Sequence, residues 1–106
     1  MPLDISNYCM YNKEVQIEFD RAKDRRNRAK HGLSLTFATK LDWDSMLAQV
    51  DDRDDYGEER WIGIAPRGSR LYTVIFTMRG EETARIISLR KASNSEIDKY
   101  EAESRK

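Results

Sequence analysis

Residues 60–91 read RWIGIAPRGSRLYTVIFTMRGEETARIISLRK. Within them the runs Arg60 to Ala65, Leu71 to Met78 and Ala84 to Lys91 are rich in the β-branched and aromatic residues that suit extended, half-buried backbone. The links Pro66-Arg67-Gly68-Ser69 and Arg79-Gly80-Glu81-Glu82 have the turn chemistry and the length of hairpin connections. Together they predict an antiparallel meander. Strict alternation then places Arg60, Ile62 and Ile64 on the face opposite Glu59 and Trp61, and Ile86, Ser88 and Arg90 on the face opposite Arg85, Ile87 and Leu89.

Upstream, Val15-Gln16-Ile17-Glu18-Phe19 alternates apolar and polar as a half-buried strand does. Asp20 follows as an N-cap with Phe19 before it as a staple, the helix runs through Lys30 or His31, and Gly32 is placed to end it in a left-handed conformation. Ser34 caps a second expected helix over Leu35 to Leu47, with Phe37, Ala38, Leu41 and Trp43 or Met46 on its apolar face. A short strand near Gln49 to Arg53 and a loop through Tyr56-Gly57 lead into the meander. Downstream, Ser93 or Ser95 caps a last helix to about Ser104, with Ile97 and Tyr100 towards the sheet. The predicted class is α+β in the order β-α-α-β-β-β-α, an antiparallel sheet packed by helices. Residues 1–14 form an extension without clear period, and residues 15–106 form a single domain.

Charge is segregated along this frame. Lys and Arg number 19, as do Asp and Glu, so the net charge of zero hides strong local fields. Residues 21–31 (RAKDRRNRAKH) and the stretch from Arg60 to Lys91 are basic, whereas 51–59 (DDRDDYGEE) is acidic. A chain 36% charged and this short has a narrow stability margin, which a partner protein would widen. The single cysteine, Cys9, makes no internal disulfide and fits a reducing compartment. No apolar run reaches membrane-spanning length and the first residues lack a signal-peptide pattern, so a cytoplasmic protein without a membrane role is expected.

Several chemistries fail on residue inventory. Aligning Gly57 with the glycine of an EF-hand loop places Asp52 and Asp54 correctly but leaves Tyr56 and Gly63 where oxygen ligands belong. One His and one Cys do not make an ordinary zinc site, and neither a nucleophile elbow nor a phosphate-cradling Gly-rich loop is present. We expect no metal and no cofactor. The first helix is more informative. Its only apolar residues are Ala22 and Ala29, and Lys23, Asn27 and Lys30 or His31 share a face. His31 is the one side chain whose ordinary pKa lies near neutrality. Arg60, Arg79, Arg85 and Arg90 alternate with apolar neighbours in strands, which is costly unless they are paired or face an anion site.

The run Phe19-Asp20-x-x-Lys23-x-x-x-Asn27-x-x-Lys30-His31-Gly32-Leu33-Ser34 resembles the BrnT family of toxins. So do Asp52-x-Asp54-x-Tyr56-Gly57-Glu58-x-Arg60 and Arg85-Ile86-Ile87-Ser88-x-Arg90-x-Ala92 with Glu96 and Tyr100. The resemblance spans about residues 15–104, with Phe19 where the family commonly has Trp and Leu35 where Phe is usual. It implies a RelE/ParE-like fold and the toxin of a type II toxin–antitoxin system, a ribonuclease that inhibits translation and growth. It also implies a BrnA-type antitoxin that neutralises the toxin and represses the shared operon, so that operator DNA is met only through the antitoxin.

If the resemblance holds, cleavage without metal uses the RNA's own 2′-hydroxyl. His31 or Glu59 would then act as base or acid, and Arg60, Arg79 and Arg90 would stabilise the phosphate. Lys23, Asn27, Lys30 and Arg85 would hold the backbone, with Tyr72 or Tyr100 as a stacking surface. The alternative is a non-catalytic module that binds nucleic acid or antitoxin and acts as a corepressor.

Overall fold

The computed structural model describes residues 15–53 and 55–105. The expected extension over residues 1–14, with Cys9, and the EF-hand position Asp54 lie outside them. The chain runs through β1 (Gln16–Glu18), α1 (Arg21–His31), two short 3-10 segments (Leu35–Lys40 and Trp43–Ser45), β2 (Leu47–Val50), β3 (Trp61–Arg67), β4 (Arg70–Arg79), β5 (Thr83–Lys91) and α2 (Asn94–Ser104). The strands form one five-stranded sheet in the order β1-β5-β4-β3-β2. The meander of β3, β4 and β5 is antiparallel as expected. The sheet as a whole is mixed, because β1 runs parallel to β5. No helix among the described residues is long and apolar enough to cross a membrane.

Local chemistry sets the ends of α1. Asp20 accepts a hydrogen bond from Lys23 N at 3.2 Å, and Gly32, at φ 74°, sends its N–H to Arg28 O. The helix then docks in an unusual way, since its buried residues are both polar, Asp24 at 6% and Asn27 at 5% exposure. The Asn27 amide donates to the carbonyls of Leu33 and Leu89, each at 2.8 Å, and its oxygen accepts from Leu89 N at 3.0 Å. β1 covers β5 only over Thr83 to Arg85, so the Asn27 side chain takes the place of a strand neighbour further along that edge. Asp24 accepts from Leu35 N at 2.6 Å, from Ser34 Oγ at 3.0 Å and from Arg28 at 2.9 Å. These bonds, led by the Leu35 N–H, hold its carboxyl below its ordinary pKa.

The helix expected over Leu35 to Leu47 does not form. Its hydroxyl and carboxylate side chains bond locally and compete with a helical ladder. Thr39 Oγ1 donates to Thr36 O at 2.8 Å, and Asp42 accepts from Asp44 N and Ser45 Oγ at 3.2 and 2.9 Å. Asp42 N is drawn to Pro66 O at 2.9 Å, which turns the chain towards the β3–β4 hairpin and lets Leu47–Val50 pair with β3. The apolar side chains of the segment still reach the core. Leu35, Ala38, Leu41, Trp43 and Met46 pack on Trp61, Ala65, Tyr72, Val74, Phe76, Ala84, Ile86 and Leu89. Met46 fills the space where a side chain at Gly63 would project.

A bulge in β5 corrects the expected facing of that strand. Ile75 pairs with Ser88 while its neighbour Phe76 pairs with Ile86, so Ile87 is an extra residue. Cross-strand partners share a face. Ala84, Ile86 and Leu89 therefore lie together on the core face, and Arg85, Ser88 and Arg90 lie together on the other. Part of this second face is covered by α2. Ser93 and Glu96 close its N-terminus with a capping box, Lys99 reaches Gln49 at 2.8 Å, and Tyr100 donates to Ser45 O at 2.7 Å.

Replacing Asn27 by Ala would leave Leu89 N–H and the carbonyls of Leu33 and Leu89 without these partners. Denaturant unfolding is expected to show a loss of about 3 kcal/mol. A loss under about 1 kcal/mol would mean that the amide does not anchor the helix.

Candidate functional site

The register of the sheet lays out the second face in rows. Arg85 stands beside Thr77 on one side and Glu18 on the other. Ser88, Ile75, Ile62 and Gln49 form the next row, and Arg90, Thr73, Ile64 and Leu47 the row after that. Four residues separate Thr77 from Thr73, so the arginine-bearing rows are about 13 Å apart along the strands. Between the two cationic ends lies a row in which Ile75 and Ile62 are flanked by Ser88 and Gln49.

At one end Arg90 is gripped by Glu96, with Nη1 and Nη2 donating to the two carboxylate oxygens at 2.7 and 2.9 Å. Glu96 also accepts from Thr73 Oγ1 at 2.9 Å and Ser93 N at 2.7 Å. The Arg90 guanidinium, helped by the other donors, lowers the Glu96 pKa to about 2. His31 is half-buried at the C-terminal end of α1. Burial, then the charges of Lys30 and Arg90, keep its pKa below 6.5, so the neutral imidazole is favoured.

At the other end Arg60 lies 4.1 Å from the centre of the Tyr56 ring, with Nε 3.2 Å from Glu58. Asp51 N donates to Arg60 O at 2.7 Å, so the acidic segment begins against the sheet. Inside that segment the buried Asp51 carboxylate holds Arg53 by two hydrogen bonds of 2.7 and 2.8 Å, while the Arg53 side chain remains 60% exposed. Its positive charge is felt at Arg90. Sequence reasoning missed Arg53 because it counted as one cation among acids; the signal was the Asp51-x-Arg53 spacing, which allows a local carboxylate–guanidinium fork.

The remaining expected residues divide. Glu59 and Arg79 line one cleft of about 400 Å³ with Glu58, Trp61, Thr77 and Met78. Arg85 reaches Glu18 at 3.5 Å. Lys23 lies on the first turn of α1, half-buried, and Lys30 is exposed near His31. Asn27 is not an RNA contact: it is buried and its amide is spent on Leu33 and Leu89. Tyr100 is half-buried with its hydroxyl bonded to Ser45, and burial raises its pKa. Among the described residues no three His, Cys, Asp or Glu side chains cluster as metal ligands do. The arrangement suits a polyanion, with guanidinium groups held by carboxylates on one face of the sheet and an imidazole held towards its neutral form nearby.

A sequence profile of the ribonuclease toxin BrnT, of type II toxin–antitoxin systems, matches residues 19–96. Among solved structures, the ribonuclease toxin BrnT of Brucella abortus is similar at 32% identity, with a TM-score of 0.55 over 76% of this chain and 99% of that one. A comparison with curated proteins gives no match.

Glu96 has an ordinary pKa of 4.5 and a folded value of about 2, so its contribution to stability is complete above pH 4.5 and is lost as pH falls towards 2. Allowing for solvent screening, that contribution is about 2 kcal/mol. Acid unfolding of Glu96→Gln is expected to show a flatter pH dependence in this window than the parent; identical slopes would detach Glu96 from the Arg90 pair.

Proposed function

The chain belongs to the BrnT family of ribonuclease toxins of type II toxin–antitoxin systems, and from that premise we propose that it cuts RNA without a metal on the second face of its sheet. The observation that carries this reading is His31, held towards its neutral form and within the field of Arg90, which Glu96 fixes in place. Such a pair supplies a proton acceptor next to a cation that binds the scissile phosphate.

In the proposed reaction His31 takes the proton of a ribose 2′-hydroxyl and the freed oxygen attacks the adjacent phosphorus. The bond to the 5′-oxygen breaks, and that oxygen leaves with a proton taken from water. The products are a 2′,3′-cyclic phosphate and a 5′-hydroxyl. Arg90 offsets the charge that develops on the non-bridging oxygens, a task worth about 10² to 10³ in rate for a single well-placed donor. Arg60 and Arg85 meet the neighbouring phosphates from the other end of the face. Glu59 lies in the cleft it shares with Arg79, beside Thr77 and about 13 Å along the sheet from the Arg90 row, so it takes no part in this proton transfer. DNA lacks the nucleophile and is spared.

The same reading takes the fold as RelE/ParE-like and places the protein in the cytoplasm, where cleavage of RNA halts translation and growth. The type II class implies a protein antitoxin. A BrnA-type partner would inhibit by covering the arginine-lined face, and operator DNA would be met only through that partner.

Purified chain incubated with single-stranded RNA in excess EDTA is expected to give fragments with 2′,3′-cyclic phosphate and 5′-hydroxyl ends. His31→Ala is expected to lose about 10² to 10⁴ in rate, and Arg60→Ala and Arg90→Lys are also expected to be slow, with each variant folding normally by circular dichroism. RNA that is bound but left whole would favour the non-catalytic module.

A further inference from the structure

On the outward side of α1, Arg28 and Lys30 suit the negative C-terminal end of the helix, whereas Arg21, Arg25 and Arg26 have no such structural explanation. Arg21, Arg25, Arg26, Arg28 and Lys30 are all exposed, and among the described residues only Arg28 is ion-paired, to Asp24 at 2.9 Å. Arg21 with Arg25, and Arg26 with Lys30, are like charges four residues apart, an arrangement that destabilises a helix. Arg21 and Lys23 add positive charge to the first turn, where the helix dipole is already positive. Packing returns nothing for these placements, because the helix is held by Asp24 and Asn27. Charges that oppose the local rules without structural return mark a binding surface.

We propose that the outer side of α1 is a track for the phosphodiester backbone of single-stranded RNA, with Arg21, Arg25 and Arg26 as its contacts. The inference rests on the ribonuclease reading and extends it beyond the sheet. Four helical residues rise about 6 Å, close to the step between successive phosphates of a stacked strand, so Arg21 and Arg25 can meet neighbouring phosphates. Asn27 fastens the helix to Leu89, the residue before Arg90, so the track runs beside the strand that carries the proposed site. A protein partner fits this surface less well. Protein interfaces draw most of their energy from buried aromatic or large apolar anchors, and the exposed apolar content of α1 is Ala29.

The test is equilibrium binding of fluorescent oligouridylates of 4 and 16 nucleotides across a salt series, with the full chain and the triple variant Arg21→Gln, Arg25→Gln, Arg26→Gln, using His31→Ala as background so that cutting is slow beside binding. The parent is expected to bind the long strand more tightly than the short one. The triple variant is expected to lose most of that gain and to show a log–log salt slope shallower by about 2, the value for three phosphate contacts on a single strand. Its melting temperature is expected to equal or exceed the parent's, since like-charge repulsion is relieved; this separates lost binding from lost folding. An unchanged slope and an unchanged length dependence would overturn the track. A variant that loses affinity for poly-glutamate while its RNA affinity holds would also overturn it and assign the surface to an acidic protein. If the parent itself binds no RNA of either length, it is the ribonuclease reading that fails.

Discussion

The structure depends on one side chain that behaves as backbone. Asn27 presents an amide to the free edge of β5 and satisfies both polar groups of Leu89 as a neighbouring strand would. β1 is too short to do this, since it ends beside Arg85. Through the same amide α1 is joined to Leu33, and Asp24, one turn earlier, organises the segment that supplies Leu35 and Ala38 to the core. A helix with almost no apolar surface is thereby attached to a hydrophobic core through polar groups alone. Low dielectric around these bonds makes them strong and makes their loss expensive.

This arrangement explains the limits of reading the fold from sequence. Elements set by neighbouring residues were legible: the Asp20 cap, the Gly32 stop, the hairpin turns and a serine cap, Ser93 or Ser95, on the last helix. Features set by distant partners were not. Asn27 shares a helical face with Lys23 and Lys30, and nothing local says that it meets Leu89, 62 residues away. The 3-10 segments keep the apolar spacing of a helix, so their departure followed from Asp42 and the pull of Pro66 O. The bulge at Ile87 left no composition signal, and strict alternation assigned Arg85 and Arg90 to opposite faces of the strand.

The candidate site was legible as an inventory more than as a geometry. The sequence names the arginines and the lone histidine; the fold decides which of them share a surface and which carboxylates hold them. Acids that read as a separate patch turn out to be part of the cationic site. Asp51 orients Arg53 and Glu58 flanks Arg60, while Glu96, from α2 and outside that patch, orients Arg90. A guanidinium held this way keeps donors free while losing rotamer freedom before any ligand arrives, which lowers the entropy cost of binding. Net neutrality and a strong local field are therefore products of the same pairs.

The bulge in β5 gives that strand two reading frames. Residues before Ile87 follow one alternation and residues after it follow the opposite one. A regular strand of the same residues would turn Leu89 outward and carry Arg90 into the space now filled by apolar side chains. Removing Ile87 would instead merge the two frames into one alternation with both faces kept. The bulge is thus what lets β5 carry one extra residue and still present a dry core on one side and arginines on the other.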